Sequence, residues 1–160
     1  MNGGWSVLTD EERREIEEEI RDCPSKRAAS VEALMKVQNH RRWVGDEQIA
    51  EVAALLDMTV EELDAVATFY PFIFRKPVGR HVICVCDSVS CWVMGYEAVR
   101  ESLARLLGIS WGGTTSDGRF TLLPVSCLGA CDRAPAIMID GDLYGDLVPE
   151  RIEAILGTYG

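Results

Sequence analysis

RHVICVCDSVSC, residues 80–91, runs a short β-branched apolar segment straight into a pair of cysteines, and RFTLLPVSCLGAC, residues 119–131, repeats the device. Arg80 to Val85 reads as a strand, as does Arg119 to Val125. Between them, Tyr96 to Leu107 carries helical spacing and stops at Gly108, a residue suited to a left-handed cap. Gly112-Gly113 then supplies a turn. A strand, helix, strand crossover within one sheet makes the two strands parallel. Cys86 and Cys91 follow the C-terminal end of the first strand, and Cys127 and Cys131 follow that of the second. Topology therefore delivers all four thiols to one edge of the sheet, where open α/β folds place their sites.

Working outward, Ala136 to Ile139 and Leu143-Tyr144 flank Asp140-Gly141, a dipeptide matched to a tight hairpin. Pro149 opens a last helix through Leu156. The order is β-α-β-β-β-α. The half before it is helical. Thr9-Asp10-Glu11-Glu12 is a capping box for a helix to about Asp22, closed by Pro24. Ala28 to His40 continues with Val31, Leu34, Met35 and Val37 at helical spacing. Asp46 can cap a third helix with Ile49, Val52, Ala53 and Leu56 on one stripe, and Thr59 to Glu62 repeats the capping box before a fourth. The expected fold is α+β: a small helical bundle over residues 1–76, then an α/β layer domain with one parallel crossover and one hairpin over residues 77–160. Phe69 to Gly79, FYPFIFRKPVG, reads as a packed linker whose Phe69, Phe72 and Phe74 form an apolar patch.

A chain of 160 residues, 48% of them apolar, can bury a core without disulfides or metal. A net charge of −10 argues against a nucleic-acid surface, which needs clustered Lys and Arg. The first residues lack a basic segment leading into an apolar one, and no run approaches the ~18 apolar residues of a membrane span, so the expected compartment is cytoplasmic. There, six cysteines read as ligands, catalysts or small hydrophobes rather than a disulfide framework.

Four converging thiols point to zinc or to a 2Fe-2S cluster. The spacings C-x₄-C and C-x₃-C lack the tight knuckle that predominates in zinc sites and lean toward the extended iron-sulfur rhomb. C-x-x-C, the dithiol redox motif, is absent. His40 sits in the helical half and His81 begins a strand, so neither is placed as a base for a cysteine nucleophile. Gly129 allows backbone N–H groups to approach sulfur, while Asp87 and Asp132 add negative charge nearby. Cys84 would share a strand face with Cys86, and it reads with Cys23 as a small buried hydrophobe. Neither a G-x-G-x-x-G turn nor a Walker loop is present.

Ile83 to Cys91 (ICVCDSVSC), Gly113 to Cys131 (GTTSDGRFTLLPVSCLGAC) and Val66 to Tyr70 (VATFY) together resemble the thioredoxin-like 2Fe-2S subunit of bacterial NADH:quinone oxidoreductase, respiratory complex I. The resemblance implies that Cys86, Cys91, Cys127 and Cys131 ligate one 2Fe-2S cluster. It implies an electron-transfer subunit, not catalytic alone, that exchanges single electrons with FMN on a partner subunit binding flavin and NADH. It also implies a peripheral position on the inner face of the cell membrane within the complex. Met94 before Gly95, where many members carry Arg, and Ser126, where many carry an acid, depart from the family pattern and bear on cluster potential and docking contacts.

Overall fold

The structure, a computed structural model, describes residues 7–160. The chain divides into two compact units between Pro77 and Val78. In the first, α1 (Asp10–Asp22), a 3-10 turn (Lys26–Ala29), α2 (Ser30–Arg41), α3 (Asp46–Leu55) and α4 (Val60–Phe69) follow one another. Both capping boxes form: the Glu12 and Glu62 amides donate to Thr9 and Thr59 Oγ1 at 3.1 and 3.2 Å, and the two glutamates accept from the threonine amides. The cap of α3 differs from expectation. Gly45 is the capping residue and Asp46 the first helical one, because the Gln48 side chain, not an aspartate, accepts the Gly45 amide at 3.0 Å. Ile16, Leu34, Val37, Ile49, Val52, Leu56 and Leu63 are fully buried in this unit's core.

Among the described residues, this unit buries one charged side chain, Glu12. Arg41 donates to it from Nε at 2.5 Å and Nη2 at 2.7 Å, a two-pronged match of guanidinium to carboxylate. Burial alone would raise the Glu12 pKa; hydrogen bonds from Arg41 and from the Thr9 backbone outweigh it and hold the carboxyl at about 2. In the segment after α4, the Gln38 amide brackets the backbone, donating to the Phe72 carbonyl and accepting from the Phe74 amide. The expected phenylalanine patch is only partly packed. Ile73 is the buried residue, Phe69 stands 78% exposed and Phe72 is exposed as well.

The second unit is a four-stranded sheet in the order β2-β1-β3-β4. β1 (His81–Cys86) and β2 (Phe120–Val125) pair in parallel with His81 opposite Phe120 and Cys86 opposite Val125. β3 (Ile137–Ile139) runs antiparallel to β1 and to β4 (Asp142–Tyr144). Asp140 and Gly141 both take positive φ, 50° and 103°, as the two-residue turn between β3 and β4 requires. α6 (Tyr96–Leu107) and α7 (Pro149–Gly157) send Val99, Leu103, Ile152 and Ile155 into a core shared with Ile83, Val85, Leu122, Ile137 and Ile139. Besides the short 3-10 turns, one helix is new relative to the sequence reading: α5, five residues over Val89–Val93. It separates from α6 at Gly95, whose φ of +110° no larger residue adopts readily.

Candidate metal centre

β1 carries its register through Cys86 and stops there. The Cys86 amide donates to the Ala136 carbonyl at 3.1 Å, and the Asp87 amide continues the parallel ladder to the Val125 carbonyl at 2.8 Å. These bonds fix the point from which the first cysteine loop departs. α5 then folds back, held by amides of Trp92 and Met94 donating to the Ser88 and Ser90 carbonyls, and turns Cys91 inward. Cys86 and Cys91 are both buried and their thiols contact each other. Burial, then that contact, pushes the Cys91 thiol up to about 11, although the Ala136 N–H donated to its sulfur works the other way. Cys131 is close enough to be felt electrostatically by Cys91.

The second pair leaves the end of β2, the strand beside β1, and is exposed. Gly129, at φ +74°, bends the loop so that its N–H donates to Cys127 Sγ at 3.3 Å. Cys131 opens a 3-10 turn through Arg133. That turn is clasped from behind by the segment after β4: the Asp146 amide donates to the Arg133 carbonyl at 2.6 Å and the Leu147 amide to the Pro135 carbonyl at 3.2 Å. Gly145 lies so close that a Cβ there would stand 2.7 Å from the Arg133 carbonyl oxygen. Ala136 and Gly145 are the supporting residues that sequence reading missed. Gly145 follows directly on the last strand, and nothing in its neighbours marks it.

The arrangement sets Cys91 against Cys86, with Cys131 within electrostatic reach, and leaves Cys127 engaged with its own loop at the same sheet edge. Among the described residues, no three His, Cys, Asp or Glu side chains converge as one metal ion would need. A tetrahedral Cys₄ zinc site gathers every sulfur on a single ion, whereas a 2Fe-2S cluster divides four sulfurs between two irons. Four thiols in two pairs along the chain, at the ends of adjacent parallel strands and with the Gly129 N–H aimed at Cys127, can be divided between two irons as a 2Fe-2S cluster requires. Cys84 is buried, its thiol pushed up to about 11 by burial and then by Asp140, and Cys23 packs partly buried against the first unit's core. His40 pairs with Glu15 at 3.2 Å and His81 with Asp140 at 2.5 Å, so both imidazoles have carboxylate partners away from the thiols.

Comparison with known proteins identifies the family. The model of the thioredoxin-like 2Fe-2S ferredoxin family matches residues 16–160. An NADH-quinone oxidoreductase subunit from Pseudomonas aeruginosa is 50% identical over 153 residues, 96% of this chain and 92% of that protein. Its counterpart in Escherichia coli K12 is 49% identical over 152 residues, 95% and 92% of the two chains. Among solved structures, an NAD+-reducing NiFe hydrogenase in the H2-reduced state superposes with a TM-score of 0.68 at 26% identity over 82% of this chain. The superposed region spans 22% of the hydrogenase chain.

Proposed function

We propose a function from one premise: the chain belongs to the thioredoxin-like 2Fe-2S ferredoxin family. It is an electron-transfer subunit of an NADH:quinone oxidoreductase and binds one 2Fe-2S cluster. Cys86, Cys91, Cys127 and Cys131 are the ligands. The observation that carries this assignment is the parallel pairing of β1 with β2, which sets both cysteine pairs at the same ends of adjacent strands. When bound, the cluster supplies one-electron chemistry. This chain's own contribution is to hold it: Cys86 and Cys91 from a buried floor, Cys127 and Cys131 from an exposed rim, with the Gly129 and Ala136 amides facing sulfur.

The partner is the subunit that binds flavin and NADH, with FMN as the centre that trades single electrons with this cluster. Supporting this reading, the sequence holds neither dinucleotide turn nor phosphate loop, so a hydride from NADH must be split into single electrons elsewhere. Among the described residues no helix is long and apolar enough to cross a membrane. The place we assign is cytoplasmic and peripheral, on the inner face of the membrane within the complex. A second reading, the equivalent subunit of an NAD-linked hydrogenase or formate dehydrogenase, draws on the hydrogenase superposition. Co-purification separates the two, since a hydrogenase large subunit in the eluate replaces the first reading with the second.

Cys127→Ser tests the ligands. The expected result is loss of the cluster's visible and EPR signatures and lower NADH:quinone activity in the assembled enzyme. An unaltered spectrum removes Cys127 from the ligand set.

A further inference from the structure

We propose an order of ligation: Cys127 and Cys131 capture the 2Fe-2S cluster from a thiolate-bound carrier, and Cys86 and Cys91 close on it afterwards. This rests on the ligand set assigned above and adds the sequence in which its members engage. The two pairs differ in reach. Cys127 and Cys131 are exposed, whereas Cys86 and Cys91 are 2% and 1% exposed and belong to the same buried core as Val85, Ala134 and Ala136. A carrier that still grips the cluster by its own thiolates is too bulky to reach so buried a pair without local opening, and meets the rim first.

The backbone makes the same distinction. The Cys86 amide donates to the Ala136 carbonyl and the Asp87 amide to the Val125 carbonyl, so Cys86 is pinned in the sheet. Cys91 is the buried side chain of α5, and α5 must lift before a reagent reaches its thiol. By contrast, among the described residues no backbone–backbone hydrogen bond ties Ser126, Cys127 or Leu128 to another segment. Cys127 can therefore turn outward at the loss of one hydrogen bond, the Gly129 N–H to its sulfur. Cys131 opens the turn that is clasped at Arg133 and Pro135 and keeps its place. The rim thus offers one ligand that reaches outward and one that anchors the far end of the loop.

Once the rim holds, the remaining exchanges are intramolecular. Cys131 lies within electrostatic reach of Cys91, and Cys91 touches Cys86. Tethering at Cys131 raises the effective concentration at the floor pair above that of a free carrier, which offsets the cost of opening α5. Capture that began at the floor would forfeit this advantage, because the opening would have to coincide with a diffusive encounter. Each exchange forms one iron–sulfur bond to this chain and breaks one to the carrier. The incoming thiol passes its proton to the departing thiolate, and both irons keep their oxidation state.

The test mixes the full metal-free chain anaerobically with the glutathione-ligated 2Fe-2S complex and follows capture by native mass spectrometry. The floor variant, Cys86→Ala with Cys91→Ala, is expected to capture at a bimolecular rate within about twofold of wild type and to stall with glutathione still attached. The rim variant, Cys127→Ala with Cys131→Ala, should capture at least about tenfold more slowly and give no stalled species. Because either pair of substitutions can disturb folding, the wild-type chain supplies a second reading. Iodoacetamide should label Cys127 and Cys131 at least about tenfold faster than Cys86 and Cys91. Wild-type capture by the rim variant, a floor variant as slow as the rim variant, or equal labelling of all four thiols overturns the proposal. A wild-type chain that takes up no iron and sulfide from the complex overturns the cluster reading instead.

Discussion

Gly145 shows how much of the metal centre depends on a residue without a functional group. Its lack of a Cβ lets the segment after β4 lie against Arg133 and clasp the turn that begins at Cys131. In Gly145→Ala the new methyl would stand 2.6 Å from Arg133 Cβ and 2.7 Å from the Arg133 carbonyl oxygen, neither of them the far end of a flexible side chain, so the turn must shift at a cost of about 1–3 kcal/mol. Reduced iron per chain and a lower melting midpoint are the expected readouts, and full occupancy at wild-type stability would show that the turn has slack. Glu12 is the counterpart in the first unit. Its carboxyl titrates at about 2 instead of the ordinary 4.5, so ionised Glu12 stabilises the fold above pH 4.5, and this contribution is lost as pH falls from 4.5 toward 2. Glu12→Gln leaves Arg41 without its anion and should cost about 3 kcal/mol at neutral pH. Denaturant melts of both proteins should converge as pH falls to about 2. A gap that persists there would assign the effect to shape and not to charge.

At the scale of elements, the sequence discloses most where a local rule has a single structural solution. The capping boxes at Thr9 and Thr59, the Asp140-Gly141 turn and the left-handed stop at Gly108 all form as read. The crossover from β1 to β2 was legible for the same reason, since strand, helix and strand in one sheet admit one arrangement, and with it came the meeting place of the cysteines. α5 was not legible. Its five residues are too few for periodicity, and Val89, Trp92 and Val93 lie outside while Cys91 lies inside, the reverse of the usual sorting. The cap at Gly45 escaped because a glutamine three residues on makes the bond that the neighbouring aspartate was expected to make. The clasp by Gly145 through Leu147 is a tertiary contact with no local signature. Exposed α5 is itself a prediction about an element: in the isolated chain its amides should exchange with solvent faster than those of β1, since it spans little more than one turn. Slower exchange in α5 than in β1 would mean that something already covers it.

For the whole molecule, each unit owns a buried core: one around Ile16, Leu34 and Leu63, the other around Ile83, Leu122 and Ile137. The four proposed ligands all belong to the second. Removing the metal with acid and chelator should therefore lower hydrogen-exchange protection in β1, β2 and the cysteine loops, while protection of α1 to α4 stays as it was. Equal loss in both units would show that the cluster supports the entire chain. The central claim, that two cysteine pairs at one sheet edge hold a 2Fe-2S cluster, is tested most directly by assaying iron, zinc and acid-labile sulfide per chain on anaerobically purified protein, with an EPR spectrum after dithionite reduction. Two irons, two sulfides and a signal from a one-electron-reduced cluster are the expected result. One zinc and no sulfide would contradict it, leaving the fold intact and the electron-transfer function without its carrier.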